Sequence, residues 1–598
     1  MKYLFEYLEP LQAVYGGKIN NAVDFVTDKQ LLDEKLWQKF AKQFEIRLDS
    51  FDKGWRGEYW GKMMRGACLT YMYLGSEELY KTLVYAVNEL LKYQDELGRI
   101  STYSKETEFN GWDTWCRKYV LTGLQHFYKI CKDSMLKERV LSAMINSANY
   151  VCEKVGENKI DICKTSGNWF GVNSASILEP FVELYKITSN KKYLDFAKYV
   201  ISTGGCSNGN LITCAENTSL YPYQYPVKKA YEVMSFFEGV LSYYEVTGEK
   251  RYFSLVKNFV ERVYETERTA VGGVGGEGEL FTNFYSRQTE EIDTVVQETC
   301  VTVTWIRLLA RLYFNTGDVN YIDRIEKSAL NAMLGSLNTE WNTHYSSIVK
   351  QRVSPLPFDS YSPLVNNKRG SEVGGFRSFQ DGTFYGCCAC IGSAGVALIP
   401  LLAVLREDDG FVFNMYFSGE ISAKTKTGNS VKITIDGNYP VDSRVKIRVK
   451  TQKKERFLIR FRKPSWCSLP SVSGVDCVLE NGYFNVDKIW DNDQITLEFP
   501  AEIKTETLNG KTAFSYGAIT LARDDFKEKV ISDLDVVDYS LDISEIATEK
   551  LPPNKGEMAR FKVSDKSGKK SIILTDYASC GKKWDENNKI SVWLKENR

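Results

Sequence analysis

Five short connectors recur along the first two-thirds of this chain and leave few folds open to it. They read YLGSEELY (73–80), ICKDSMLK (130–137), ITSNKKYL (187–194), VTGEKRYF (246–253) and NTGDVNYI (315–322), and their starts lie 57 to 69 residues apart. Each follows a segment with apolar residues at three- and four-residue steps (57–74, 115–130, 175–187, 230–246 and 302–315) and precedes a second amphipathic segment. In each, a small or Gly residue able to end one helix stands beside a polar residue able to start the next, so every unit reads as a helical hairpin. Five hairpins are visible. A sixth, made from the helix near 391–405 and the stretch 325–350, would close the array into an (α/α)6 toroid; an open superhelix is the alternative.

After about Asp409 the period changes to two. Runs such as FVFNMYFSGEISAK, SVKITIDG, RVKIRVK, RFLIRFRKPSW, QITLEFP and AFSYGAITLAR alternate apolar and polar residues between Gly, Asn, Asp and Pro turns, the pattern of antiparallel strands. The fold class is therefore multidomain α+β. An (α/α)6 barrel over 1–408 is followed by a β-sandwich over 409–505 and a more irregular, jelly-roll-like β module over 506–598. The stretches 267–290 and 346–386 carry Gly, Pro, Ser and Asn without period, and loops of that length in a compact domain usually do chemistry.

Composition removes several function classes. The 77 Lys and Arg balance 77 Asp and Glu, so no global field draws the protein to nucleic acid or an anionic membrane. No stretch has the roughly 18–20 apolar residues of a membrane span. Glu6 and Glu9 interrupt the place where an export signal would have its apolar core, so a cytoplasmic location is expected. The 14 Cys, several in apolar helical contexts such as Cys68, Cys131 and Cys152, read as free thiols of a reducing compartment rather than a disulfide framework. With only His126 and His344 available, multi-His metal sites and most serine triads are excluded. His126 reads as a packed helix residue, and His344 lies in the loop WNTHYSS.

The candidate chemistry lies in thiols and carboxylates. GGVGGEGELF (272–281) lacks the Lys-Ser/Thr of a phosphate loop, but it presents Glu279 on a Gly-permissive backbone beside Leu280 and Phe281, and apolar surroundings raise a carboxyl pKa toward that of a general acid. Glu298 and Cys300 in VVQETCVTV, with Cys387, Cys388 and Cys390 in FYGCCACIGSAG, offer the soft donors that suit Zn²⁺. Incidental core thiols are the plain alternative.

Taken together, Gly-Gly-x-Gly…Gly-Glu-x-Phe, Glu-x-Cys, a Cys-Cys pair, YQDELGRIST (93–102) and a β region with RKPSW and GYFNVDKIWDNDQITLEF resemble glycoside hydrolase family 127, the β-L-arabinofuranosidase-like (α/α)6 enzymes. The resemblance implies a zinc ion on Glu298, Cys300, Cys387 and Cys388, with Cys387 the nucleophile and Glu279 the acid/base of a retaining exo-glycosidase. Cys388 with Cys390 is the alternative metal pair. DTWCRKYV (113–120), holding Trp115 and Tyr119, stands where family members have a substrate-contacting His, and VKKAYEVM (227–234) offers Lys229 in a similar place. Trp115, Tyr119, Lys229 and Tyr385 are therefore the expected sugar contacts, and Arg117, Lys118 and Lys229 point to an acidic sugar. The partner is an oligosaccharide or glycoside, with a homodimer compatible with the chain. Two other readings compete: a metal-free (α/α)6 epimerase, lyase or unsaturated uronyl hydrolase, and a carbohydrate-binding protein with structural zinc.

Overall fold

All five connectors end one helix and start another in the computed structural model, which describes residues 3–408, 410–527, 546–565, 570–584 and 588–595. Gly75, Ser189, Gly248 and Gly317 take the left-handed backbone that stops the first helix of a hairpin, and Ser76, Asp133, Asn190 and Asp318 accept a backbone N–H to start the second.

The first helices of the hairpins are Gly57–Leu74, Asp113–Ile130, Leu178–Thr188, Ala230–Thr247 and Thr299–Thr316. With Cys387–Ala403 they form a ring: each packs on the next in chain order, and Cys387–Ala403 packs back on Gly57–Leu74. Nearly every residue of Gly57–Leu74 and all of Cys387–Ala403 are buried, as expected of helices enclosed on all sides. Small residues set the spacing. A Cβ on Gly61 would lie 1.9 Å from the Tyr119 carbonyl oxygen. The second helices, such as Lys250–Glu267 with Tyr252, Leu255, Val256, Phe259, Val260 and Val263 buried, bury one stripe only and lie outside.

The expected sixth hairpin takes a different form. The 325–350 stretch finishes helix Val319–Ser328, adds one irregular turn that packs on Cys387–Ala403, and then the short strand His344–Ser346, so it supplies no second hairpin helix for Cys387–Ala403, a helix that begins at Cys387 rather than 391. The partners come from the start of the chain: helix Gly17–Val26 packs on Cys387–Ala403, and Glu34–Ile46 packs on Gly57–Leu74 and Glu77–Leu91.

Two sheets follow. In the first, strands Val404–Glu407, Gly410–Phe413, Arg444–Arg462, Ser430–Asp436 and Gly419–Lys424 lie side by side, and Tyr483–Glu498 pairs along Arg444–Arg462. Every pair is antiparallel except Gly410–Phe413 with Arg444–Arg462. Both edges are covered by the N-terminal segment, through Glu6–Tyr7 on Val404–Glu407 and Ala13–Tyr15 on Gly419–Lys424. The second sheet orders Ile503–Leu508, Lys511–Tyr516, Ile519–Asp524, Ser571–Asp576, Arg560–Asp565 and Ile546–Leu551, all antiparallel. It is fastened to the helices by Asn331, which bonds the backbone of Ala518 and Thr520, and by Lys582, whose ammonium donates to the carbonyls of Gly335 and Leu337. No helix among the described residues is long and apolar enough to cross a membrane.

Candidate active site

The first turns of the ring helices converge on a cavity of about 350 Å³. Glu58, Trp115, Tyr231, Glu298 and Cys387 reach it from the starts of five different helices. A helix start carries partial positive charge, so this end of the ring favours carboxylates and thiolates.

Glu298 immediately precedes helix Thr299–Thr316 and Cys300 is its second residue; Cys387 and Cys388 open the last ring helix. Two loops pin these starts. Thr299 donates its N–H to the Ser360 carbonyl at 2.9 Å, and Cys387 donates to the Gly374 carbonyl at 3.1 Å. Gly375, in the left-handed region at φ 55°, lies so close that a Cβ there would stand 2.4 Å from the Cys387 sulfur. Only glycine fits both demands.

The four donor atoms lie within 4.8 Å of one another and all four residues are buried. The Cys300 sulfur is 3.5 Å from that of Cys387 and 3.4 Å from that of Cys388, the Cys387 and Cys388 sulfurs are 3.8 Å apart, and Glu298 Oε1 is 3.5 Å and 3.4 Å from those two sulfurs. Zinc–sulfur and zinc–oxygen bonds of about 2.3 and 2.0 Å in a tetrahedron put ligand atoms about 3.5–3.8 Å apart, so the quartet fits such an ion. Glu298 Oε2 is buried with no hydrogen-bond partner, a further sign of a donor set awaiting a cation. Cys390 is buried outside the quartet, on the side of Tyr59 and Tyr385. The cluster thus groups Cys388 with Cys387 and leaves Cys390 out.

Burial pushes the Cys300 and Cys388 thiols and the Glu298 carboxyl well up. Cys387 moves the other way: hydrogen bonds from the Cys300 and Cys388 thiols outweigh burial, and the Lys62 and Lys229 ammonium groups add to them. One thiolate is favoured, at the sulfur that lines the cavity.

Glu279 faces the same cavity from the Gly-rich loop, with its own backbone in the left-handed region. Its Oε1 accepts from the Tyr361 hydroxyl at 2.6 Å, and its Oε2 pairs with Lys229. The apolar surroundings read from Leu280-Phe281 are not what it meets: Phe281 turns into the core toward Phe259, and a cation sits beside the carboxylate. The loop is held from below by Glu267, at the end of helix Lys250–Glu267, which accepts backbone N–H groups of Thr282, Asn283 and Phe284.

Of the expected sugar contacts, Trp115 and Lys229 line the cavity; Tyr119 and Tyr385 do not. The Tyr119 hydroxyl bonds that of Tyr231, which takes the lining place. Tyr385 points its hydroxyl away, to accept from Gln30 at 2.8 Å. Arg117 is spent on Asp113 and Glu108, and Lys118 lies against the rings of Trp115 and Tyr119 outside the cavity. His126 bonds its own helix at Thr122, and His344 bonds the Phe358 carbonyl; burial pushes their pKa values down to about 3 and about 4.

Several lining residues escaped the sequence reading. Glu58 pairs with Lys62 at 3.0 Å and accepts from Trp115, and burial raises it to about 7, with Lys62 opposing and Cys387 adding. Its signal was present: an acid and a lysine four apart in a mostly apolar helix. Glu232 and the rim tryptophans Trp55, Trp112 and Trp169 carried none, and neither did Tyr361, which touches Glu279 without lining the cavity.

The cavity sets a thiol-rich donor set against a carboxyl at one end of a helical ring, and comparison with known proteins gives the class. The β-L-arabinofuranosidase GH127 catalytic domain matches residues 18–346, and the GH127 middle domain matches 410–501. The chain belongs to glycoside hydrolase family 127 and is a glycoside hydrolase. No curated protein matches it. Among solved structures, a GH127 β-L-arabinofuranosidase from Geobacillus stearothermophilus T6 superposes with a TM-score of 0.73 at 17% identity, over 98% of this chain and 100% of that one. A second GH127 β-arabinofuranosidase, BT3674, gives 0.73 at 17% over 100% and 98%. At that identity they speak for the fold.

Proposed function

We propose that this chain is a retaining exo-glycosidase that removes a terminal β-L-arabinofuranosyl or closely related sugar, with Cys387 as nucleophile and Glu279 as acid/base. One observation carries the reading: the Cys387 sulfur belongs to a buried Glu/Cys₃ donor set yet also faces the cavity that holds Glu279. A purely structural zinc would be enclosed on all sides.

Glu298, Cys300, Cys387 and Cys388 would hold Zn²⁺. Zinc, when bound, ionises the thiols at neutral pH. Glu279 gives its proton to the departing glycosidic oxygen while the Cys387 sulfur bonds the anomeric carbon, forming a thioglycoside. Glu279 then takes a proton from water, which displaces the sulfur; two inversions give retention. Tyr361 and Lys229 hold the Glu279 carboxyl in place through both steps. A cavity of about 350 Å³ is at the small end of ligand pockets and supports a single terminal sugar. The acidic sugar loses its support. Glu58, Glu232, Glu279, Glu298 and Glu372 line the cavity against Lys62 and Lys229, both already paired, so a neutral sugar is favoured.

The wider layout goes with this reading: an (α/α)6 toroid over 1–408, a β-sandwich over 409–505 and a second β module over 506–598, the first two sharing the N-terminal strands. All 14 cysteines are free, which supports action in a reducing compartment such as the cytoplasm.

Glu279→Gln tests the assignment. Turnover of an alkyl glycoside is expected to fall by roughly 10²–10⁴-fold, and an aryl glycoside whose leaving group needs no proton should recover much of its first step. Equal losses on both would remove Glu279 from the acid role.

A further inference from the structure

Beyond the sugar cavity the mouth is apolar in a way that sugar recognition does not require. Trp169 and Ile348 line the outer part of the cavity from two different loops. Trp169 is 36% exposed, its neighbour Phe170 47%, Ile348 62% and Val349 41%. The loop of Trp169 abuts the segment holding Phe51, a further exposed ring: a Cβ on Gly167 would lie 3.2 Å from the Asp52 carboxylate. Trp169, Phe170 and Phe51 all hold left-handed backbone, at φ 50°, 54° and 44°, a conformation bulky residues rarely accept. A strained aromatic kept in solvent at the cavity, with two more strained aromatics in the adjoining chain segments, marks a binding surface.

Its chemistry can be read from what is missing. A sugar subsite pairs an aromatic face with polar groups aimed at hydroxyls; here the rim indole N–H of Trp112 is unpaired, but the charged groups beside Trp169 and Ile348 have partners. Glu372 accepts the backbone N–H groups of Ser347 and Val373, and Lys229 is held by Glu279 beneath the Trp169 ring. Ile348 lines the same cavity as Trp169, with exposed Val349 next to it in the chain, and their branched aliphatic chains offer no hydrogen bond to a hydroxyl.

We infer that the mouth is a subsite for an apolar, planar aglycone: the glycoside this enzyme cleaves carries its terminal sugar on an aromatic or similarly hydrophobic alcohol, sandwiched between Trp169 and Ile348, rather than on a further sugar. The inference deepens the hydrolase reading and rests on it for the position of the leaving group.

The test compares three β-L-arabinofuranosides of primary alcohols, so that leaving-group chemistry is matched: methyl, 2-naphthylmethyl, and a disaccharide linked through a primary hydroxyl. The naphthylmethyl glycoside is expected to exceed the other two by about tenfold or more in kcat/KM, the worth of a partly buried ring. That ratio should fall toward one in Ile348→Ser and in Phe170→Gly, which suits the left-handed backbone there. Binding of free 2-naphthylmethanol, followed by its own fluorescence, gives a readout independent of turnover and of the sugar. Binding that weakens in both variants while no glycoside is cleaved would leave the subsite standing and remove the proposed β-L-arabinofuranosidase reading. A preferred disaccharide, or alcohol binding absent or indifferent to both substitutions, would overturn the subsite.

Discussion

The ring of helices has two ends, and both contain charged cavities. At the end where the helices start lies the cavity of about 350 Å³ with the thiol cluster. At the end where they finish lies a larger one, about 670 Å³, walled by Glu179, Glu183, Glu245, Lys186, Arg307 and Arg311 and bordered by Tyr3 and Tyr7 of the N-terminal segment. The two ends carry different groups: thiols and carboxyls at the starting end, carboxyls interleaved with Lys186, Arg307 and Arg311 at the other. What separates the two is satisfaction. Arg307 pairs with Glu179 and Glu238, Arg311 with Glu179 and Glu245, Lys186 with Glu183 and Glu245, and Tyr3 donates to Glu245. At the starting end, the buried Oε2 atoms of Glu298 and Glu232 have no partner. Size would choose the wrong cavity. Unmet buried carboxylate oxygens single out the thiol-lined cavity, whereas the larger one leaves the Thr122 hydroxyl unpaired but its carboxylates matched with cations.

The strongest way to break this contrast is a pair of substitutions, one at each end. Cys387→Ala is expected to lower kcat by about 10⁴-fold or more with the fold intact. Arg311→Met, which strands buried carboxylates, is expected to cost about 3–5 kcal/mol in stability while the folded fraction keeps its kcat within about threefold. Denaturant unfolding alongside kinetics separates the two, and a catalytic collapse in Arg311→Met would dissolve the distinction.

A second comparison sharpens the thiol cluster itself. Elemental analysis of protein purified without added metal should give about one zinc per chain, falling close to zero in Cys300→Ala and staying near one in Cys390→Ala. Equal retention in both would mean that the quartet is only a packed core.

The smallest effect concerns acid. His344 opens the strand that leads to Ser347 and Ile348 at the catalytic rim, and burial holds its pKa down to about 4 against about 6.5 in the unfolded chain. As pH falls below about 6.5 the unfolded chain takes the proton first, so stability is lost, at about 1.4 kcal/mol per pH unit, until about pH 4. His344→Gln removes that slope. Its stability deficit against the parent should shrink by about 3 kcal/mol between pH 7 and pH 4, as read from urea midpoints.

The sequence carried most of the ring and little of its closure. Connectors such as VTGEKRYF are local signals, with Gly248 ending one helix and Lys250 starting the next, and they fall where they were read. The sixth pairing depends on where Gly17–Val26 packs, which is tertiary and left no period at 325–350. RVKIRVK and RFLIRFR turned out to be one strand, Arg444–Arg462, because a register shift between Lys450 and Glu455 lets the same chain run on. The site divides likewise. Glu298, Cys300, Cys387, Cys388 and Glu279 were legible as rare residue types in a spaced pattern. Tyr119 was misread because the helix turns it onto Tyr231, and Tyr361 was invisible because a lone tyrosine in a loop says nothing of the carboxylate it will meet.

Which atom takes the sugar is the central claim, and peptide mapping after trapping reads it out. A furanose bearing an anomeric-site electrophile, incubated with the zinc-loaded enzyme and followed by digestion and mass spectrometry, is expected to add one sugar to the peptide containing residues 387–390, with fragmentation assigning it to Cys387. The adduct should be absent from Cys387→Ala. A sugar found on Glu279, Cys388 or Cys390, or on any residue of the larger cavity at the other end of the ring, would contradict the account.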